Sequence, residues 1–342
     1  MITLLTFLTA FAATALILPI MRLIAFRTGV VDYPGGRKVH KTVTPLLGGV
    51  GIYLGLLVAI FFNLNHFRDV LPFFLGATAI FLIGLVEDIR GLSAQTRFLA
   101  QVVVSLALIK TGMGVSFLPH TWWGTLGEVL VTVTWIVGVT NAYNFLDGLD
   151  GLAAGSAAIN CFFFLIILYS TAQYPIGLIC AALIGACLAF LPFNFSSTKI
   201  FLGESGSTLL GFCLAGTALV GYWASDSVVK LFIPILILGV PIFDMIFTTI
   251  MRVRERKVDS LVSWLRYGGK DHFHHYLVEL GLRPVKAVFF IYSITFFLGI
   301  SAILMSNGTC TDAVLSLLQA GIIFSGIAQL IVVGQRRRSG WK

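Results

Sequence analysis

The chain has 342 residues, 58% hydrophobic and 11% charged, against the roughly 25% charged residues of an ordinary soluble domain. This composition excludes water as the main solvent and leaves no stretch long enough for a separate soluble domain. The formal net charge of +8 comes from basic residues scattered between apolar runs, which points to membrane topology and away from nucleic acid.

Apolar runs recur at about 2–21, 45–64, 70–86, 98–113, 125–143, 152–171, 175–193, 207–223, 231–250, 285–305 and 313–333. A helix needs about 20 such residues to cross a bilayer, so the runs predict an all-α, polytopic transmembrane helix bundle of about eleven spans, a single membrane domain over 1–342. No basic residue precedes the first run, and Arg22 and Arg27 follow it. That order predicts a first membrane helix rather than a cleavable signal. Cys161, Cys180, Cys187 and Cys213 lie inside apolar runs and Cys310 in a short loop, a spacing that predicts neither a disulfide framework nor a zinc site. With the amino terminus outside and the carboxyl terminus cytoplasmic, only Arg68, Lys110 and Lys230 of the 23 Lys and Arg residues fall on the outer side, as the positive-inside rule requires. The basic stretch 251–284, with Trp264, Leu265 and Tyr267, is either an ordinary anchor or a helix lying partly in the interface.

The acidic residues follow the same threading. Glu87, Asp88, Asp147, Asp150 and Glu204 fall at the cytoplasmic ends of spans, whereas Asp244 lies inside the ninth. A carboxylate at the bilayer centre costs roughly 2.5–3.5 kcal/mol, so Asp244 is expected to face the bundle interior or a hydrated cleft. One acid at a helix end is as readily a cap or an arginine partner; five on one side, flanked by glycine, suggest a site.

Five segments carry these residues: GRKVHKTVTPLLGG (36–49), GLVEDIRGL (84–92), NAYNFLDGLDGLAAG (141–155), FLGESGSTLLG (201–211) and KDHFHHYL (270–277). Asp147 and Asp150 are three apart and share a face if helical, beside Gly148 and Gly151, a plausible platform for a diphosphate and a metal. Clustered carboxylates without cysteine fit Mg2+, a hard ion that keeps several waters. Glu204, Ser205, Gly206 and Ser207 open the eighth span, where free backbone amides favour phosphate oxygens. His40, His272, His274 and His275 fit donation to phosphate better than zinc ligation. Gly48, Gly49 and Gly51 read as small residues for close helix packing rather than as phosphate contacts.

Taken together, these segments resemble the polyprenyl-phosphate N-acetylhexosamine-1-phosphate transferase family, and more its WecA and TagO branch than its phospho-MurNAc-pentapeptide translocase branch. NFLDGLDGLAAG is the most specific match; FLGESGS and the His272, His274, His275 cluster strengthen it, and RKVH with Pro45 and Gly48-Gly49 indicates the branch. The resemblance implies transfer of a HexNAc 1-phosphate, GlcNAc 1-phosphate first among candidates, from a UDP-sugar to undecaprenyl phosphate, with release of UMP. It places the enzyme in the bacterial inner membrane, its site facing the cytoplasm, at the first membrane step of a cell-surface glycan such as lipopolysaccharide or cell wall polymer, and leaves a homodimer open. By position, Glu204 is the metal ligand, joined by Asp150. Asp88 and Glu87 stand at the lipid phosphate, and Asp147 and Asp150 at the nucleotide. Asn144 and Asn194 line the cleft, Ser205, Ser207, Arg37, Lys38 and His40 bind substrate, and His272, His274 and His275 contact the phosphates. This chain has Glu87-Asp88 where the family usually has Asp-Asp, and Glu204 where it has Asp. The added methylenes keep Mn2+ in view beside Mg2+. Two other readings are a degenerate member that binds lipid carrier or nucleotide without turnover, and a transporter, since intramembrane acids also mark ion pathways.

Overall fold

The computed structural model describes residues 1–34, 42–63, 70–195, 198–267, 269 and 271–338. Arg37, Lys38 and His40 lie outside the described residues. The chain divides into two compact units, Met1–Gly221 and Tyr222–Lys342.

The amino-terminal unit holds α1 (Ile2–Thr28), α2 (Gly48–Phe61), α3 (Leu71–Arg90), α4 (Ala94–Lys110), α5 (Trp122–Leu146), α6 (Leu152–Ser170), α7 (Tyr174–Asn194) and α8 (Gly203–Val220). Two short strands, β1 (Val31–Asp32) and β2 (Thr44–Pro45), pair antiparallel between α1 and α2. The sequence had given no sign of them. α1 ends where Gly29 turns left-handed at φ 73°, a conformation glycine adopts without a Cβ clash.

α8 is the hub, packed against α2, α3, α5, α6 and α7. Its sequence is small and apolar, and its residues from Ser205 through Ala218 are buried. Close packing at its start depends on glycine: a Cβ on Gly49 of α2 would come 2.3 Å from the Gly206 nitrogen, and one on Gly84 of α3 would come 2.6 Å from the Ser205 Cα. Gly48 likewise meets the Phe201 carbonyl and Gly51 the Leu18 side chain, so these glycines serve helix packing, as their spacing had suggested. The outer helices differ. α1 exposes Leu4, Leu8, Leu16 and Ile20, and α4 exposes Leu99 and Val103, the surface expected where lipid is the solvent.

The carboxy-terminal unit holds α9 (Ser227–Ile237), α10 (Gly239–Arg254), α11 (Leu261–Arg266), α12 (Phe273–Glu279), α13 (Pro284–Ser306) and α14 (Cys310–Arg338). The ninth apolar run is not one straight span, because Val229–Ile237 and Gly239–Arg254 meet at 77°. Pro241 has no N–H to give the carbonyl four residues back and its ring crowds that carbonyl. With Gly239 beside it, the chain bends at Leu238.

Each of the eleven apolar runs thus contains a helix or this bent pair. Seven helices among the described residues are long and apolar enough to cross a membrane, eight spans counting the bent pair. α2, at 14 residues, reaches only about 21 Å at 1.5 Å per residue, short of the ~30 Å hydrocarbon core. The protein is a helical membrane protein.

Candidate active site

In the amino-terminal unit the polar residues gather where α3 and α5 end and α4 and α8 begin. Asp88, in the last turn of α3, accepts the Glu204 backbone N–H at 2.8 Å through Oδ1 and the Ser205 N–H at 3.0 Å through Oδ2. Both oxygens therefore hold the amino terminus of α8, satisfying amides that a helix start leaves open and placing a negative charge at the positive end of its dipole. The capping reading holds for this residue, and its partner is 116 residues away in the chain. Glu87 accepts the Leu92 N–H at the end of the same helix and lies 3.9 Å from Arg97 Nη1.

Glu204 points its Oε2 at Arg97 Nη1, with which it forms an ion pair, and at Asn144 Nδ2, 2.6 Å away. Asn144 also reaches Ser207 Oγ at 3.0 Å. The Ser207 hydroxyl returns to the Gly203 carbonyl of its own helix at 3.0 Å. Ser205 and Ser207 are both fully buried. The structure thus places them as packing residues of α8 rather than on an open surface.

Asp147 caps the end of α5. Burial, and then the charges of Glu204, Asp150 and Asp88, push its carboxyl well above the ordinary carboxylate range. Asp150 accepts a hydrogen bond from the Thr198 hydroxyl. Gly151 opens α6 in the left-handed conformation at φ 80°, and its N–H donates to Asn194 Oδ1 at 2.6 Å. Asn194 Nδ2 donates to the Ile200 carbonyl at 3.1 Å, so this buried amide ties the Asp150 turn to the segment leading into α8.

Among the described residues, no three His, Cys, Asp or Glu side chains stand close enough to enclose a metal by themselves. Magnesium does not require that, because it usually takes one or two carboxylates and fills its shell with water and substrate phosphate. The surroundings of Asp147 decide the fit: a carboxyl whose ionisation is opposed by burial and then by three neighbouring carboxylates is a place where a hard cation relieves repulsion. The residues present suit such an ion.

The histidines belong to the carboxy-terminal unit. Asp244, Thr248 and Arg252 are spaced four apart on one face of α10, as helical geometry requires, and all three engage the 271–273 segment. Asp244 Oδ1 accepts the Phe273 N–H at 2.5 Å and its Oδ2 lies 3.0 Å from His272 Nδ1. Thr248 Oγ1 donates to the Asp271 carbonyl at 3.2 Å. Arg252 makes two parallel bonds to Asp271, of 2.9 and 2.8 Å, and places Nη2 3.2 Å from His272 Nε2. A guanidinium only donates, so His272 Nε2 accepts and Nδ1 carries the proton given to Asp244. Burial alone would raise the Asp271 carboxyl, but Arg252 outweighs it and holds the group below the ordinary range.

The three histidines therefore differ. His272 has both ring nitrogens engaged. His274 is fully buried, neither of its ring nitrogens has a partner, and burial followed by the His275 charge pushes its pKa down to about 3. It is neutral at physiological pH, able to offer an N–H but no charge. His275 is partly exposed and its ring lies 4.2 Å from that of His274.

Two residues escaped the sequence reading. Arg97 and Arg252 had counted only towards membrane orientation, whereas Arg97 joins Glu204 and Arg252 is 1% exposed beside Asp271. The available signal was proximity in sequence for Arg97, which follows the Glu87-Asp88 pair by one turn and a loop. For Arg252 it was helical spacing from Asp244.

A helical membrane protein with acidic residues collected at helix ends is the setting of a membrane-embedded glycosyltransferase, and the chain belongs to glycosyl transferase family 4, whose family model matches residues 70–222. That stretch contains α3 to α8, and with them Glu87, Asp88, Arg97, Asn144, Asp147, Asp150, Asn194 and Glu204. The chain is 34% identical over 309 residues to the probable undecaprenyl-phosphate N-acetylglucosaminyl 1-phosphate transferase of Bacillus subtilis (strain 168), covering 89% of this chain and 85% of that relative. It is 34% identical over 355 residues to the decaprenyl-phosphate N-acetylglucosaminephosphotransferase of Mycobacterium tuberculosis (strain ATCC 25618 / H37Rv), covering 92% and 85%. A phospho-N-acetylmuramoyl-pentapeptide-transferase of Bacillus mycoides (strain KBAB4) matches at 33% over 239 residues, covering 63% of this chain and 72% of that relative. The longer matches favour the N-acetylglucosaminyl branch.

Proposed function

We propose that this protein transfers N-acetylglucosamine 1-phosphate from UDP-GlcNAc to a polyprenyl phosphate, the first membrane step of a surface glycan pathway. An oxygen of the lipid phosphate attacks the sugar-bearing phosphorus, the bond from that phosphorus to the bridging oxygen breaks, and UMP leaves. The observation that carries this reading is the convergence of Asp88, Asp147 and Glu204, from separate helix ends, in a chain of this family. The bias of Lys and Arg towards the segments that carry these acids supports a cytoplasmic placement of the site.

Catalysis of phosphoryl transfer is mainly positioning and charge stabilisation. Glu204 and Asp150 are the residues that would hold Mg2+, which would supply neutralisation of the diphosphate and of the departing UMP. Asp88 fixes the backbone that carries Glu204, and with both oxygens committed to amides it positions rather than accepts the proton of the lipid phosphate. Asn144 orients the Glu204 carboxylate.

The test is UMP release by the detergent-purified protein from UDP-GlcNAc, undecaprenyl phosphate and Mg2+, with UDP-GalNAc and UDP-MurNAc-pentapeptide in parallel. Release from UDP-GlcNAc that EDTA abolishes is expected. Nucleotide binding with no UMP under Mg2+ or Mn2+ would instead identify a non-catalytic binder.

A further inference from the structure

Arg97 stands between two anions with part of its donor capacity unused. Its Nη1 pairs with Glu204 Oε2 and lies 3.9 Å from Glu87 Oε1. Its Nε is buried and has no hydrogen-bond partner. The Glu204 oxygen it engages also accepts from Asn144 at 2.6 Å. The carboxylate best placed to hold a divalent cation is thus already neutralised by a guanidinium, while that guanidinium keeps an N–H that only an incoming acceptor can fill. A second cation on the same oxygen would meet Arg97 at short range, where like charges repel strongly. The two are competitors.

We propose that Arg97 is a place-holder cation. It neutralises Glu204 while the site is empty, yields that oxygen to the divalent ion, and turns its released Nη1 and unfilled Nε to a phosphate oxygen of the nucleotide sugar. The identity of that anion rests on the transferase reading; the exchange itself goes beyond it. Chain chemistry supports the exchange, because a glutamate at position 204 is one methylene longer than aspartate and that length carries its Oε2 to Arg97. Metal and nucleotide then bind with positive coupling, since each removes an obstacle to the other. The metal arrives at an oxygen Arg97 is leaving, and the nucleotide gives Arg97 somewhere to go.

The experiment is a titration of the full-length protein in detergent with Mn2+, following free Mn2+ by its paramagnetic resonance signal, with and without UDP-GlcNAc. In Arg97→Gln, Mn2+ alone is expected to bind about tenfold more tightly than in the unaltered protein, and the tightening produced by UDP-GlcNAc to shrink at least about fivefold, within the usual span of coupling between sites. Should Arg97→Gln fail to fold, Glu204→Asp asks the same question, because the shorter side chain draws away from Arg97. It should bind Mn2+ alone about threefold or more tighter, or tenfold if release is complete. Mn2+ affinity equal to or weaker than that of the unaltered protein, in whichever of the two variants folds, would overturn the exchange. That result with UMP release intact leaves the transferase reading standing, whereas absent UMP release with the expected Mn2+ behaviour removes only the transferase reading.

Discussion

In the amino-terminal unit, Glu87, Asp88, Asp147, Asp150 and Glu204 share the company of Arg97 and of neutral donors. In the carboxy-terminal unit, Asp244 and Asp271 are matched by His272 and Arg252, each partner buried and engaged on more than one side. The first arrangement is under-neutralised and open to a cation and an anionic substrate. The second is paired within itself, carboxylates against a guanidinium and an imidazole, as a buried network must be if it is not to be destabilising. Chemistry therefore belongs to the first group, and rigidity to the second, where α10 holds the segment that leads into α12.

Four substitutions break this contrast, in falling order of effect. Asp271→Asn leaves Arg252 buried without its counter-charge, and such losses cost about 3–5 kcal/mol. A thermal melt of the purified protein should show it, and an unchanged melting point would mean that the pair is not the anchor it resembles. Glu204→Gln should keep the fold and lower turnover at least about a hundredfold, about 2.7 kcal/mol in the barrier. Asp88→Asn should lower turnover comparably and also lower the melting point, since the amide offers a second donor to a backbone N–H that needs an acceptor. A variant with normal UMP release excludes that residue from the site. His274→Leu changes the pH profile. The folded histidine resists protonation down to about 3, whereas the unfolded one protonates near 6.5. Stability is then fully present above about pH 6.5 and falls with acidification by up to about 1.4 kcal/mol per pH unit. The variant should flatten that slope in melts between pH 7 and pH 4; an identical slope would assign the acid sensitivity elsewhere.

The membrane fold was legible because eleven apolar runs each hold a helix or helix pair, and twenty-residue apolar periodicity survives any tertiary context. The bend at Leu238 was written in Pro234, Gly239 and Pro241, but mean hydropathy conceals a break that leaves the run apolar. Clustering of the acids was legible from their shared side of the threading. Their individual roles were not, because Asp88 caps a helix that begins 115 residues later and no local pattern records such a partner. The arginines were misjudged for a related reason: a basic residue at a span end satisfies the orientation rule equally well whether it faces lipid headgroups or, like Arg252, is buried against Asp271.

The smallest effect tests the under-neutralised end most directly. Asp147 carries a carboxyl that burial and then three neighbouring carboxylates push well above its ordinary range, so in the absence of metal the opposed ionisation of this group is a burden to the folded state. Asp147→Asn removes that burden and should raise the melting point in EDTA, by an amount typical of relieved charge conflict, roughly 0.5–2 kcal/mol. Added Mg2+ reverses the order. A ligand that binds only the folded protein stabilises it in proportion to the logarithm of its saturation, and the variant has given up part of the negative potential that attracts the ion. The two melting curves should therefore cross as Mg2+ rises, with the variant ahead in EDTA and the unaltered protein ahead at high Mg2+. Parallel curves would mean that Asp147 takes no part in attracting the cation, and that the repulsion around it is a feature of the fold alone.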